Sequence, residues 1–414
     1  MPANRRGLDT GSESYTISPT LENDISAALR LCSLLSAVEQ DNIQAPGDLG
    51  ELEQQLHSML ALRSRVSTES SNAQQHTAAQ SLEGTIFRKI GAGACGAVFA
   101  QDGKSFVEKL SKTNDDSLWN DYRMHTRISS MFKDWGFTEI KVPEVYFFVP
   151  RDDPRYFEQN PELAMAASEV CNLPSSVLVS ERILPLANPT RTLLIDKYCA
   201  PRIKQAAFSD AANRDCLVRP YLGSMQGKTG GLFFSLRNFK IHLNQMVELQ
   251  LDIRSMASSM GTAMAIMHWA AKTDARDVEF VFGSSSKESS AQLSLEEVEN
   301  LQRPTYTGPP SYIAEDFFHR STDLWLLDFN QVRLITMDEA GVAQAVEAAR
   351  INDPYLPKPL GESNSEKIVW NAFAEHYIWT ADVILADSQQ FLRLPRLFIR
   401  RLIETEEQRK ARDS

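Results

Sequence analysis

One run constrains this chain more than any other: Lys89-Ile90-Gly91-Ala92-Gly93-Ala94-Cys95-Gly96-Ala97-Val98-Phe99, three glycines in a Gly-x-Gly-x-x-Gly pattern with an apolar-aromatic exit. Glycine reaches backbone conformations closed to other residues and lets main-chain amides approach a ligand. Phe106-Val107-Glu108-Lys109-Leu110 follows, so a lysine stands in a strand-like run thirteen residues after Gly96. Hairpin and lysine together suit a nucleotide's phosphates, with amides cradling the oxyanions and the lysine adding a point charge. The same spacing suits an ordinary glycine turn between strands, and the rest of the chain has to decide.

The composition is that of a globular protein, with 43% hydrophobic residues in 414, enough for a sizeable core in one large domain or two smaller ones. A net charge of -11 argues against a nucleic-acid binder. The five cysteines (Cys32, Cys95, Cys171, Cys199 and Cys216) form no Cys-x-x-Cys pair and no finger spacing with the seven histidines. No zinc site is therefore expected from local motifs. The odd, scattered set fits a reducing compartment. No apolar leader follows Met1, and no run of 18 apolar residues occurs. An intracellular protein, cytoplasmic or nuclear, without a signal peptide or transmembrane helix, is expected.

Along the chain, residues 1–20 are polar and read as disordered. Residues 21–66 read as a helical extension: one amphipathic helix over Thr20–Asn42, a break at Pro46-Gly47, and a second over Leu49–Val66. Residues 67–83 form a polar linker. A main domain spans 84–385, opening with strands at Thr85–Ile90, Ala97–Gln101 and Ser105–Leu110, the last two joined by the tight turn Asp102-Gly103. Leu118–Phe132 reads as a helix whose Asp121 is placed to pair with Lys109; a solvated acid near the helix N-terminus is the plain alternative. Strands follow at Lys141–Val149 and Ser175–Arg182, then helices over Phe239–Leu249 and Asp252–Ala271. The methionines of the last are core fillers. Residues 284–312 read as an exposed insertion, and Ser365–Ser388 as a helix with Trp370, Phe373, Tyr377 and Trp379 inward. Residues 386–414 read as an amphipathic basic tail, with seven Lys/Arg against three acids between Phe391 and Arg412.

Two acid-bearing stretches carry chemistry. Asp274-Ala275-Arg276-Asp277-Val278-Glu279 enters a short strand, and Asp323-Leu324-Trp325-Leu326-Leu327-Asp328-Phe329-Asn330 is an apolar strand ending in an acid. Burial of an unpaired carboxylate is costly, so a strand-end aspartate calls for a partner or a ligand. The alternative is an aspartate capping a turn.

The order of these pieces resembles the protein-kinase-like fold, including its aminoglycoside-phosphotransferase branch. That resemblance implies an α+β, bilobal architecture: a small β-rich N-lobe over 84–186 and a larger helical C-lobe over 187–385, preceded by the helical extension. It implies ATP and Mg²⁺ as cofactors. It places Gly91, Gly93 and Gly96 on the phosphate loop, Lys109 on the phosphate lysine with Asp121 as its acid, Asp274 on the catalytic base, and Glu279 and Asp328 on the metal. Here the family's His-Arg-Asp reads Lys272-Thr273-Asp274, its metal-binding Asn is Glu279, and its Asp-Phe-Gly ends in Asn330.

Five further runs resemble a fungal domain-of-unknown-function family whose members are often described as zinc finger proteins, over roughly 84–385. They are Arg182-Ile183-Leu184-Pro185-Leu186, Leu236-Arg237-Asn238-Phe239, Met267-His268-Trp269, Asp277-Val278-Glu279-Phe280-Val281 and Trp325-Leu326-Leu327-Asp328-Phe329-Asn330. Two functions are expected in competition. One is phosphoryl transfer from ATP-Mg²⁺ to a small-molecule hydroxyl or amine. The other is a catalytically inactive, pseudokinase-like scaffold that meets a protein partner through the N-terminal helices or the basic tail. No nucleic-acid partner is expected.

Overall fold

The glycine run folds as a hairpin. Counting only the described residues, β2 (Phe87–Ala92) pairs antiparallel with β3 (Gly96–Gln101), and β3 with β4 (Phe106–Ser111). The computed structural model describes residues 49–62, 65–67, 87–93, 95–112, 115–153, 155–286 and 319–413. Contacts divide the chain into two units, Met1–Asn42 and Ile43–Ser414, and every described residue belongs to the second. The expected disorder at 1–20, the helix over Thr20–Asn42, Cys32 and nearly all of the linker and insertion fall outside the described residues.

The fold is mixed α and β with two sheets. The first is antiparallel throughout, in the order β2-β3-β4-β7-β6, with β6 at Val145–Val149 and β7 at Val177–Glu181. Each motif glycine has its own reason. A Cβ on Gly96 would sit 2.7 Å from the Leu110 carbonyl oxygen, so this glycine lets β3 and β4 close up. Gly93 has nothing within 4 Å of such an atom and stands at the open tip. Its N–H donates to the Gly96 carbonyl at 2.9 Å, and Lys112 Nζ donates to its own carbonyl at 2.8 Å. One face of the sheet buries Phe99, Leu110, Val177 and Val179 with Leu163 and Ala167. The last two come from the short helix Pro161–Ala167.

The second sheet runs β1 (Arg65–Ser67), β11 (His319–Leu327), β10 (Glu279–Ser286), β8 (Val218–Tyr221), β9 (Phe239–His242), with β5 (Ile140–Lys141) parallel to β11. Its centre is the antiparallel pair β10 (Glu279–Ser286) and β11 (His319–Leu327), in register from Glu279 opposite Leu327 to Ser286 opposite Arg320. Residues 287–318 join the far end of this pair. The pairing of β10 with β11 thus brings Glu279 and Asp328 together although they are 49 residues apart in the chain.

Several segments differ from the sequence expectation. Leu49–Val66 is a helix only over Glu51–Leu60, here α1, and residues 65–67 form β1 against β11. Leu56 and Leu60 of α1 enter the main core, so this part of the extension is built into the domain. Phe239–Leu249 begins as strand β9 (Phe239–His242), parallel to β8 (Val218–Tyr221), and turns helical only at Leu243. There the His242 side chain accepts from the Gln245 N–H while the Gln245 side chain reaches back to the His242 N–H.

The main core is helical. The helix Ile253–Ala265 continues into a π-turn at Ile266–Ala270, and Met256, Met260, Met264 and Met267 are buried along it. It packs against the helix Asn364–Ile384. A Cβ on Gly261 would meet the Phe373 carbonyl at 2.3 Å, so glycine is what allows the two axes to approach so closely. Trp370, Phe373 and Tyr377 are buried as expected, but Trp379 is 65% exposed. Two residues beyond Tyr377 is about 200° around a helix, which turns Trp379 to solvent.

The expected basic tail is the helix Arg393–Asp413, and it belongs to the core. Leu394, Leu397 and Phe398 are buried, with the Phe398 ring 4.9 Å from Tyr377 and 4.8 Å from His268. Its arginines pair within the chain: Arg393 with Glu339 at 2.7 Å, and Arg396 with both oxygens of Asp382 at 2.7 and 2.9 Å.

Candidate functional site

A cleft of about 390 Å³ opens between the glycine hairpin and the ends of β10 and β11. Its apolar wall includes Ile90, Val98, Val107, Leu178, Leu217 and Leu327. The charged floor is organised by Lys109. From the middle of β4, its Nζ reaches Asp121 Oδ2 at 2.6 Å and Asp328 Oδ1 at 2.9 Å. Asp121 comes from the helix Asp115–Asp134, here α2, and Asp328 from the residue after β11. Burial works to lower the Lys109 pKa, but the two carboxylates outweigh it and the ammonium is held well above its usual range.

Helix α2 also grips the backbone after Asp328. Asp121 Oδ1 accepts the Phe329 N–H at 3.2 Å. Asn120 Nδ2 donates to the carbonyls of Asn330 at 3.0 Å and Val332 at 2.9 Å. Asp328 itself sits at φ +66°, a left-handed conformation that aspartate tolerates better than most residues. His125, one turn along α2, meets the Pro143 carbonyl at 2.7 Å; burial lowers its pKa, so it is neutral and donates through Nε2.

Glu279, at the start of β10, lines the cleft and pairs with Arg219 Nη2 at 2.6 Å. Burial raises its pKa to about 7 against the pull of Arg219, helped by Asp328 and Asp277. Asp277 lines the same wall at φ +60°. Its N–H donates to Asn352 Oδ1 at 2.7 Å, and Gln331 Nε2 donates to its carboxylate. Burial and the nearby Asp328 charge raise its pKa.

The structure thus brings Gly91, Gly93, Gly96, Lys109, Asp121, Glu279 and Asp328 to one cleft. It does not bring Asp274 there. Asp274 is fully buried below the loop. Its Oδ1 accepts from the N–H groups of Arg276 at 3.1 Å and Arg333 at 2.9 Å, and its Oδ2 from Arg333 Nε at 2.7 Å and Gln344 Nε2 at 2.9 Å. Oδ1 is spent on two backbone N–H groups and Oδ2 on two side chains, and Asp274 does not line the cleft. The acid that does face it is Asp277. Asp277 stands two residues before Glu279, in the turn that precedes β10, and both line the cleft.

The oxygen donors suit a hard cation. Mg²⁺ is held through one or two carboxylates completed by substrate phosphates and water, and Asp328 and Glu279 are carboxylates of that kind. Among the described residues, no three His, Cys, Asp or Glu side chains gather as a self-sufficient metal site, and Cys95, Cys171, Cys199 and Cys216 are free thiols. Burial pushes the Cys216 thiol up to about 12.

Residues 324–389 match the model of a domain-of-unknown-function family, DUF3669, described as zinc finger protein. The match starts within β11, includes Asp328 and runs past the helix Asn364–Ile384, so the similarity expected over 84–385 is found across this shorter stretch. No curated protein and no solved structure matches the chain. Among the described residues, no helix is long and apolar enough to cross a membrane.

Proposed function

We propose that the cleft binds a nucleoside triphosphate with Mg²⁺ and transfers its terminal phosphoryl group to a small-molecule hydroxyl or amine, with the two sheets and the helices forming a bilobal, kinase-like arrangement. The observation that carries this reading is Lys109, clamped at 2.6 Å by Asp121 and 2.9 Å by Asp328 beneath the glycine hairpin. Such a clamp fixes a positive charge where phosphate oxygens would arrive, and positioning plus charge stabilisation is most of what phosphoryl transfer requires. The apolar wall from Ile90 to Leu327 offers a base-sized slot. Asp328 and Glu279 would hold Mg²⁺, which would neutralise charge on the phosphates. Asp277 takes the role of general base in place of Asp274, since it lines the cleft and burial raises its pKa above the usual carboxylate value.

A second reading has its own observation: Arg219 occupies a Glu279 oxygen at 2.6 Å, as it would in a scaffold that keeps the fold without turnover. Thermal melting separates the outcomes. ATP-Mg²⁺ raises the melting temperature of the wild type, and Asp328→Ala abolishes the rise. A wild-type chain indifferent to every nucleotide and divalent metal would sink the nucleotide reading. A shift without turnover of any acceptor would favour the scaffold.

A further inference from the structure

Both carboxylates proposed for the metal already hold a cation of the chain. Asp328 Oδ1 accepts from Lys109 Nζ at 2.9 Å, and Glu279 Oε2 accepts from Arg219 Nη2 at 2.6 Å. The two cations are not held alike. Lys109 has a second acid, Asp121 at 2.6 Å, and stays neutralised if Asp328 turns away. Arg219, on β8, has Glu279 as its one ion pair among the described residues. The next acid along the wall, Asp277, already accepts from Gln331. Neither partner is sealed off. The Arg219 side chain is 19% exposed and that of Glu279 21%, and both residues line the cleft.

We infer that Arg219 is a latch on the metal site: it holds Glu279 until a divalent cation takes that carboxylate, and is then released to the nucleotide's phosphate oxygens. The inference rests on the phosphotransferase reading and adds to it the residue that makes metal and nucleotide bind together. Charge couples the two ligands. A partly buried guanidinium stripped of its carboxylate is costly, so metal alone must meet that cost in full. Phosphate oxygens remove it, since the planar fork of arginine suits them as well as it suits a carboxylate. Nucleotide alone fares no better. Six acidic residues line the cleft against Lys109, Arg182 and Arg219 as cations, so a polyphosphate without metal meets charge of its own sign.

The exchange is one of side-chain partners. β8 and β10 are paired at Val218 and Phe282, which fixes the two strands that carry Arg219 and Glu279. A scaffold would keep the Arg219–Glu279 pair closed under all conditions. The latch opens it for metal and nucleotide together and resists either one alone.

The test is a double-mutant cycle on the full chain: wild type, Arg219→Gln, Glu279→Gln and the double variant. Binding of Mn²⁺ alone is followed by electron paramagnetic resonance, and binding of metal-free tripolyphosphate in EDTA by calorimetry. Arg219→Gln binds Mn²⁺ about fivefold tighter than the wild type, and in the Glu279→Gln background the gain shrinks below about twofold. Glu279→Gln, with Arg219 set free, binds tripolyphosphate about fivefold tighter, and adding Arg219→Gln removes most of that gain. The second titration keeps the latch testable if Arg219→Gln alone fails to fold. Equal Mn²⁺ affinity in wild type and Arg219→Gln overturns the latch, and so does a gain of the same size in both backgrounds, which marks a general change of charge. An ATP-Mg²⁺ melting shift in the wild type with both gains missing removes the latch and leaves the nucleotide reading. Both gains without any ATP-Mg²⁺ shift overturn the nucleotide reading and the latch's role in it, with the exchange at Glu279 left standing. Failure of all four proteins to bind Mn²⁺ overturns the latch and the metal site together.

Discussion

Glu279 and Leu327 are direct partners across the antiparallel pair β10–β11, and that pairing delivers the next residue, Asp328, to the cleft that Glu279 lines. Sequence distance does not enter. What brings the two carboxylates together is register, and a one-residue slip would send alternate side chains to the opposite face.

The Lys109 clamp makes a stability prediction. Asp121 is only 3% exposed, and without Lys109 its charge would be buried with no cation on it. Lys109→Ala should cost about 3–5 kcal/mol in urea melts. Adding Asp121→Asn should recover part of that loss. Additive losses in the double variant would show that the two side chains do not act as a pair.

Acidity offers a second check, on the opposite face of β4. Glu108 is buried with Tyr156 OH donating to it at 3.0 Å, and burial raises its pKa to about 7. The folded state therefore holds a proton that the unfolded chain releases near pH 4.5, and stability falls as pH rises from about 4.5 to 7. Glu108→Gln keeps the hydrogen-bonding shape without the charge. It should gain about 1–3 kcal/mol over the wild type at pH 8 and show a flatter pH profile. Parallel profiles for the two proteins would contradict this.

The glycines should separate into two behaviours. Gly96→Ala forces a methyl to within 2.7 Å of the Leu110 carbonyl and should destabilise by about 1–3 kcal/mol. Gly93→Ala meets nothing within 4 Å and should melt like the wild type, with any effect confined to nucleotide affinity. Thermal melts with and without ATP-Mg²⁺ distinguish the two.

Asp274 and Asp277 should divide in the same manner. Asp274→Asn disturbs four hydrogen bonds in a fully buried position, so about 2–4 kcal/mol of stability should be lost. Asp277→Asn should leave the melting temperature close to that of the wild type and abolish phosphoryl transfer. Full turnover in Asp277→Asn would remove it as the base.

Much of the cleft was legible in the sequence because its signals are local. The glycine run, the Asp102-Gly103 turn and the alternation around Lys109 specify three strands, and a strand-end acid advertises itself by contrast with Trp325–Leu327. Where several local patterns were compatible with the same residues, the sequence reading went astray. The apolar positions of Phe239–Leu249 fit a helix as well as a strand, and only pairing with β8 decides for Phe239–His242. The arginines of the last helix hide Leu394, Leu397 and Phe398, whose spacing marks a buried face. Asp274 and Asp277 are both plausible acids in one short loop. Which of them points inward depends on Arg333 and Gln344, more than fifty residues away in the chain.

Asn120 and Asp121 are consecutive on α2, and both hold the backbone between Phe329 and Val332. Helix and segment are therefore geared together. A rotation or slide of α2 must drag the residues that follow Asp328, and any displacement of Asp328 by an arriving ligand must push back on α2. The cleft floor thus has a mechanical output: whatever touches the outer face of α2, where Trp119 is 44% exposed, has leverage on the acid that lines the cleft.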